Sequence, residues 1–329
     1  MSAVARNAIK SPYPYFGGKS KVADVAWRAF GADCPNYVEP FFGSGAVLLA
    51  RPGGAGKIET INDADGMICN FWRSIQQVPG EVARWCDWPV NECDLHPRHR
   101  WLIEQRKWLT KRLIADADFC VPKIAGWWVW GASMWIGGGW CSDRYNRGQT
   151  RPSMKAQGVH VSQRRPDHRL PDLYGSQNRD HAPPCEEWFA ALQERLRRVR
   201  LCCGDWSRVL GNSVIGTTRV RNNGMVPCAI FLDPPYSDEI RAPECYAVDD
   251  GSIAQLVAQW AREHGDDPDL HIALCGYAGE HEMPGWTEYA WRGARGYSKG
   301  NNREKERIWF SPHCLPLEPP ANQQLTLAV

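Results

Sequence analysis

One stretch of the chain, residues 37–45, reads Tyr-Val-Glu-Pro-Phe-Phe-Gly-Ser-Gly and is followed by the apolar run Ala-Val-Leu-Leu-Ala. The pattern predicts a short strand at residues 37–42, a glycine-rich turn and a buried helix. A second strand is predicted at residues 57–62, ending at Asp63, and a helix follows at residues 65–77. Together these elements form one β-α-β unit of a doubly wound α/β sheet.

The same alternation returns in the second half of the chain. Further strands are predicted at residues 200–203, 228–232, 271–275, 286–291 and 307–310, and further helices at residues 21–30, 97–118, 184–199 and 252–264. Residues 142–183 are polar and have no steady period, which is typical of long loops. We therefore expect a mostly parallel seven-stranded α/β sheet with a mainly helical and loop insertion. The predicted domains are a discontinuous α/β domain at residues 1–90 and 200–315, an insertion at residues 91–199 and a flexible tail at residues 316–329.

Composition excludes several classes of protein. Of the 329 residues, 43% are hydrophobic and 23% are charged, which is ordinary for a soluble globular chain. No apolar run approaches the roughly 18–20 residues of a membrane span, and the N-terminus lacks the apolar region of a signal peptide. We expect a cytoplasmic protein. The 13 cysteines have no regular spacing and are expected to be buried thiols. The alternative is a zinc site, but its candidate ligands match no common framework, so no metal is predicted: Cys86, Cys93, His96 and His99.

The charge is unevenly distributed along the chain. Residues 97–200 carry 19 Lys and Arg against 10 Asp and Glu, whereas the rest of the chain carries 20 against 27. A basic middle inside an acidic frame is typical of a segment that meets a polyanion. The alternative is that these arginines only solvate helices.

Two features at the predicted strand ends favour a nucleotide-like ligand. Small residues at Gly43, Ser44 and Gly45 allow a ligand to approach the main chain, although a lone Gly-x-Gly is a weak signal. Asp63 ends the next strand, where related folds place an acid on ribose hydroxyls. A helix N-cap is the alternative role for this aspartate.

The third strand-end feature is Asp233-Pro234-Pro235-Tyr236, which follows the apolar strand at residues 228–232. The prolines fix a rigid turn in which the Asp233 carboxylate and the Pro234 carbonyl both accept hydrogens from one external amine. Accepting both hydrogens localises the amine lone pair for attack. Tyr236 offers a flat face on which a planar ring stacks. The alternative is a tight turn that happens to contain a tyrosine.

These motifs and their order resemble the Dam-type N6-adenine DNA methyltransferases. The resemblance covers about residues 12–78 and 199–311, with the insertion placed where the family has its target-recognition region. Four segments carry it: residues 14–19 (Pro-Tyr-Phe-Gly-Gly-Lys), residues 39–45, residues 62–65 (Asn-Asp-Ala-Asp) and residues 233–236. One departure is Asp65, where the family often has Asn.

The resemblance implies a fold of the S-adenosylmethionine-dependent methyltransferase type and the transfer of a methyl group to the N6 amine of a flipped-out adenine in duplex DNA. It implies no metal. The implied catalytic residues are Asp233, Pro234, Pro235 and Tyr236. The implied cofactor-binding residues are Tyr15, Phe16, Gly17, Lys19, Glu39, Pro40, Phe42, Gly43, Gly45, Asp63, Asp205 and Asp233.

Basic residues in the polar loops are the candidates for DNA contact, because Arg and Lys bind phosphates and read guanine edges. They are Arg144, Arg147, Arg151, Lys155, Arg164, Arg165, Arg295, Lys299 and Arg303. For the last three, the alternative is an exposed hairpin without a DNA contact. The tryptophans of residues 127–140 are expected to form the core of a helical unit, with base stacking as the alternative.

Several other functions remain alternatives at this level. An N4-cytosine methyltransferase uses the same amine chemistry, although it more often has Ser at the position of Asp233. An RNA substrate, a catalytically silent DNA-binding protein and an NAD-dependent oxidoreductase are further alternatives. The last lacks support because the turn at residues 42–48 misses the final Gly or Ala of the dinucleotide fingerprint. We expect a monomer whose cognate restriction endonuclease, if there is one, acts separately.

Overall fold

The computed structural model describes residues 9–15, 17–89, 91–135, 140–141, 185–216, 227–236, 252–293 and 305–317. A seven-stranded sheet, in the order β3-β2-β1-β4-β5-β7-β6, forms its centre. The first five strands in this order, β3, β2, β1, β4 and β5, are parallel to their neighbours. Strand β7 runs antiparallel to both β5 and β6. This confirms the predicted α/β class and the mostly parallel sheet. The strands are β1 Asn36–Glu39, β2 Ile58–Asp63, β3 Arg200–Cys203, β4 Cys228–Leu232, β5 Leu270–Tyr277, β6 Thr287–Ala290 and β7 Glu306–Phe310.

The sheet is buried on both faces. In β4, Ala229 and Phe231 belong to one hydrophobic cluster, whereas Ile230 and Leu232 belong to another. Because successive strand side chains point to opposite faces, a parallel strand covered on both faces is apolar throughout. That requirement explains why Cys-Ala-Ile-Phe-Leu predicts this strand without error at either end.

Helices cover these two faces. Most of the predicted helices are confirmed within a few residues, and one 3₁₀ turn occupies Trp206–Val209. The helices are α1 Ala23–Phe30, α2 Ala46–Leu49, α3 Gly66–Gln77, α4 Pro79–Cys86, α5 Glu92–Ala115, α6 Pro122–Met134, α7 Cys185–Leu196, α8 Asn212–Ile215 and α9 Ile253–His264.

Three of the longer helices differ from the sequence prediction, and the four-residue helix α8 was not predicted either. The predicted start of α5 at Pro97 is wrong, because the Asn91 side chain accepts a hydrogen bond from the Cys93 amide and caps the helix earlier. Two helices, α4 and α6, were not predicted, although each begins with a proline, Pro79 and Pro122. Proline is favoured in the first helical turn, where its missing N–H has no partner to lose.

The described part of the insertion packs onto the α/β core. Residues of α5, α6 and α7 belong to the same hydrophobic cluster as α3. Trp128, Trp130 and Trp135 are buried, and the Arg98 guanidinium lies 4.5 Å from the Trp130 ring centroid. The structure thus confirms that these tryptophans form core. Among the described helices, none has the length and apolar character that a membrane span requires.

A buried ion-pair cluster fastens α7 to the sheet. The Glu59 carboxylate of β2 lies 2.7 and 2.9 Å from two Arg195 nitrogens and 3.2 Å from Arg51 Nη1. Arg195 also donates to the Leu48 carbonyl at 2.9 Å. The last helix of the predicted insertion is therefore held against β2 and the end of α2.

Removing one member of this cluster is predicted to destabilise the whole protein. We expect Arg195→Ala to lower the free energy of unfolding by about 3–5 kcal/mol, because Glu59 would remain charged and buried without its main partner. Urea unfolding followed by circular dichroism measures this value. The control is Arg197→Ala, which breaks an exposed pair with Glu194 at 3.8 Å and is expected to change stability by no more than about 0.5 kcal/mol. Similar losses in the two variants would contradict the prediction.

Candidate active site

Three carboxylates meet at one edge of the sheet. Glu39 is the last residue of β1, Asp63 is the last residue of β2, and Asp233 directly follows β4. These strands are parallel neighbours, so their carboxyl ends lie at the same edge, and the strand order reverses between β1 and β4. Open α/β sheets bind ligands at this kind of position.

The Asp233 carboxylate forms an ion pair with Lys19. Lys19 Nζ lies 2.8 Å from Asp233 Oδ1 and donates to the Gly17 carbonyl at 2.7 Å. The Lys19 side chain is 3% exposed, so solvent screens the pair little. Burial raises the pKa of Asp233, and the positive charge of Lys19 opposes that rise. Lys19, a predicted cofactor contact, thus favours the charged form of Asp233, the predicted catalytic acid.

Asp63 is held by two backbone amides. Gly43 N donates to Asp63 Oδ2, and Asp65 N donates to Asp63 Oδ1, both at 2.9 Å. Each carboxylate oxygen has a second lone pair, so the group retains capacity to accept ligand hydroxyls. Burial raises the pKa of Asp63 to about 7. The N-cap of α3 is Asp65 rather than Asp63, since Asp65 accepts from the Met67 amide.

The glycine-rich turn is fixed by aromatic residues. The Gly43 carbonyl accepts from Tyr13 Oη at 2.6 Å and from Trp72 Nε1 at 3.0 Å. A Cβ atom at Gly43, where φ is +49°, would lie 2.7 Å from the Tyr15 ring. Sequence reasoning missed Tyr13 and Trp72, because a single aromatic residue in a helix or loop has no periodic signal.

The second glycine of the turn, Gly45, lies against Phe42. A Cβ atom at Gly45, where φ is +71°, would lie 2.6 Å from Phe42 Cζ. Nearby, Glu39 is 3% exposed and accepts from Tyr37 Oη at 2.8 Å. Burial raises the pKa of Glu39 well above its ordinary value; the Tyr37 hydrogen bond opposes this rise, and the charge of Asp233 adds to it. Both predicted glycines therefore lie beside predicted site residues.

Two contacts hold the Tyr236 side chain, one at its hydroxyl and one at its ring. Tyr236 Oη donates to Glu306 Oε2 at 2.9 Å, and the Tyr277 ring packs edge-on at 4.6 Å between centroids. Lys19 Nζ lies 5.2 Å from the Tyr236 ring centroid. Sequence reasoning missed Glu306, although a buried carboxylate at the start of a strand that ends in Ile-Trp-Phe was the available signal.

Asp205 lies just after β3, beside the end of β2. It is exposed, and its carboxylate accepts from the Ser207 amide at 2.9 Å. The next residue, Trp206, stacks on Phe41 at 6.2 Å between ring centroids. An exposed acid next to a stacked aromatic pair is compatible with the predicted pocket for the adenine of the cofactor.

The departure at Asp65 has a structural explanation. Arg106 of α5 forms an ion pair with Asp65 and donates to the Cys141 carbonyl at 2.7 Å. An Asn at this position would lack the charge that this buried arginine needs. The aspartate therefore connects the acid segment to the insertion.

The DNA-binding predictions are not tested by these contacts. All of the basic residues predicted to contact DNA lie outside the described residues: Arg144, Arg147, Arg151, Lys155, Arg164, Arg165, Arg295, Lys299 and Arg303. Phe16, a predicted cofactor contact, also lies outside them. In the described ranges, no group of three or more His, Cys, Asp or Glu side chains is placed to hold a metal ion.

Comparison with known families agrees with this geometry. Residues 15–90 match the family model of the D12 class N6 adenine-specific DNA methyltransferases. Over these residues the chain is similar to that family. No curated protein matches it significantly. The match implies methylation of adenine N6 in DNA with S-adenosylmethionine as the methyl donor, and it gives no support to the oxidoreductase and N4-cytosine alternatives.

Gly43 and Gly53 provide a matched test of the turn in this methyltransferase. Both have a positive φ, but a Cβ at Gly53 meets nothing within 4 Å. We expect Gly53→Ala to cost about 1 kcal/mol of stability. Gly43→Ala is expected to cost about 2 kcal/mol or more, because the methyl group also displaces Tyr15, and to weaken S-adenosylmethionine binding at least about tenfold. Urea unfolding and calorimetric titration measure the two effects. Equal losses in the two variants would mean that the Tyr15 ring moves aside freely.

Proposed function

We propose that Asp233 and the Pro234 carbonyl bind the N6 amine of an adenine that has left the DNA duplex. The observation that carries this proposal is the ion pair at 2.8 Å between Lys19 and Asp233 at the switch point of the sheet. Lys19 favours the charged form of Asp233, and a carboxylate is the better acceptor for an amine hydrogen. A base inside a duplex cannot reach a buried strand end, so it must be flipped out.

The residues at the sheet edge fit S-adenosylmethionine. The site carries the carboxyl groups of Glu39, Asp63 and Asp233, whose oxygens can accept hydrogen bonds from the hydroxyl and ammonium groups of the cofactor. Gly43 and Gly45 let the Tyr15 and Phe42 rings pack directly on the turn, because a Cβ at either position would collide with those rings. When bound, the cofactor supplies a methyl group already activated by the positive sulfur.

The remaining cofactor contacts follow from position. Asp63 is assigned to the ribose hydroxyls, because its oxygens are oriented by two amides, and Asp205 to the adenine. Tyr15 and Phe42 line the glycine turn and are assigned to the methionine end. We keep Phe16, Gly17, Lys19, Glu39 and Pro40 in the proposed cofactor set.

The chain's own contribution is alignment and desolvation. Asp233 and Pro234 accept the two amine hydrogens, which turns the lone pair toward the methyl group. Tyr236 supplies the stacking face for the purine ring. In the transfer the amine nitrogen would gain the methyl group as the carbon–sulfur bond breaks and S-adenosylhomocysteine leaves, and Asp233 would stabilise the positive charge on the nitrogen and accept the proton that it releases.

Recognition of DNA is assigned to residues 91–199 and to the basic loop after β6. The excess of Lys and Arg in residues 97–200 supports this assignment, since phosphate contacts supply most of the affinity for DNA. Residues 1–90 and 200–315 form the proposed catalytic domain. We further propose that the protein acts as a monomer, and that a cognate restriction endonuclease, where one exists, acts separately.

Loss of the Asp233 charge is predicted to abolish methyl transfer. We expect Asp233→Asn to reduce incorporation of labelled methyl groups into unmethylated duplex DNA by at least about a thousandfold. Nucleoside mass spectrometry of the wild-type product is expected to show N6-methyladenine. Asp24→Asn, which alters an exposed acid on α1 that pairs with Arg28 at 3.6 Å, serves as the control and is expected to retain activity. N4-methylcytosine as the product, or full activity of Asp233→Asn, would contradict the proposal.

Cofactor affinity is predicted to rise with pH through neutrality. Asp63 has a pKa of about 7, so its charged fraction increases from about one tenth at pH 6 to about nine tenths at pH 8. Only the carboxylate form binds the ribose hydroxyls strongly. We expect S-adenosylmethionine to bind about tenfold more tightly at pH 8 than at pH 6. Calorimetry on the wild type and on Asp63→Asn measures this, and the variant is expected to bind weakly at both pH values. An equal pH dependence in the variant would assign the effect to another group.

A further inference from the structure

Glu306 lies at the catalytic edge of the sheet although it belongs to the far side of the strand order. Because β7 is antiparallel to β5, its first residue pairs with the last residue of β5, and Glu306 is opposite Tyr277. The carboxyl end of β5 lies beside the carboxyl end of β4, from which Asp233 and Tyr236 continue. The topology therefore delivers a carboxylate to the catalytic turn from the last strand.

The contact between Glu306 and Tyr236 is direct and buried. Tyr236 Oη lies 2.9 Å from Glu306 Oε2, and the two residues are 4% and 7% exposed. The Tyr277 ring supports the same tyrosine from the side, at an interplanar angle of 71°. Contacts at the hydroxyl and at the ring edge together define the plane of the Tyr236 ring.

Burying the Glu306 carboxylate at this position costs desolvation free energy. Burial raises the pKa of Glu306, and the positive charge of Lys19 and the hydrogen bond from Tyr236 oppose that rise. A phenylalanine in place of Tyr236, packed against an apolar side chain in place of Glu306, would stabilise the strand without the cost of burying a carboxylate. The carboxylate is thus better explained by what it does to Tyr236 than by what it adds to folding.

We propose that Glu306 is a positioning residue for methyl transfer, which holds the Tyr236 ring in the plane that receives the target adenine. The inference rests on the proposed function, since Tyr236 must be the stacking face for this to matter. Glu306 contacts neither the base nor the cofactor in this proposal. Its direct contact is with the Tyr236 hydroxyl.

Four variants test this role by steady-state kinetics with unmethylated bacterial DNA and S-adenosylmethionine. Tyr236→Phe keeps the ring and removes the hydroxyl, Glu306→Ala removes the acceptor, and the double variant removes both. Glu306→Gln keeps an oxygen acceptor without the charge. The control is Glu288→Gln on β6, which alters an exposed carboxylate that accepts from Arg307 Nε at 2.8 Å.

We expect Tyr236→Phe and Glu306→Ala each to lower kcat/KM for DNA by about tenfold or more, because each removes the hydrogen bond between the two side chains. Tyr236→Phe is expected to cost at least as much as Glu306→Ala, since the Tyr236 side chain also interacts with Asp233. The double variant is expected to be no worse than the poorer single variant, since the bond can be lost only once. Glu306→Gln is expected to recover part of the activity. The affinity for S-adenosylmethionine, measured by calorimetry, and the activity of Glu288→Gln are expected to remain within about twofold of wild type.

Additive losses in the double variant would overturn the inference, as would a stable Glu306→Ala with unchanged kcat/KM. A parallel loss of cofactor affinity would assign Glu306 a general structural role instead. Should Glu306→Ala fail to fold, full activity of Tyr236→Phe would overturn the inference on its own. A wild-type protein that transfers no methyl group to adenine would instead refute the proposed function, and the inference would be lost with it.

Discussion

The ion pair between Lys19 and Asp233 is the interaction on which the catalytic edge depends. Parallel strands bring Glu39, Asp63 and Asp233 to one edge of the sheet, and burial disfavours the charged form of each. Lys19 supplies a buried positive charge at 2.8 Å from Asp233, and its backbone anchor at Gly17 fixes the position of that charge. The N-terminal loop is therefore joined directly to the turn that carries Asp233.

Most of the sheet could be predicted from the sequence, because a strand buried on both faces must be apolar along its length. Cys228–Leu232 and Arg200–Cys203 have the predicted bounds. The start of α5 could not be located, since the pattern favours Pro97 as a first residue, whereas the Asn91 cap is a single side-chain contact. Residue propensities favour a proline as the first residue of a helix, so they do not reveal that the Asn91 cap starts α5 before Pro97.

The residues of the candidate site likewise fall into those that the sequence predicts and those that it does not. Residues in short motifs, such as Asp63 and Asp233, were predictable because strand ends of parallel sheets converge. Residues that support them from elsewhere, such as Trp72 and Glu306, were not, since their partners Gly43 and Tyr236 are distant in sequence. Only the antiparallel return of β7 places Glu306 at the correct edge.

The insertion is fastened to the core at both of its inner ends. Before residues 142–184, the Cys141 carbonyl accepts from Arg106 and its amide donates to His99 Nδ1 at 3.2 Å. After them, Arg195 of α7 joins Glu59. Chain closure between two fixed points costs little more as the connecting chain lengthens, so these two anchors hold the described core together whatever the length of the chain between them. Under the proposed assignment of DNA recognition to residues 91–199, a new recognition sequence would require changes in that segment and none at the sheet edge.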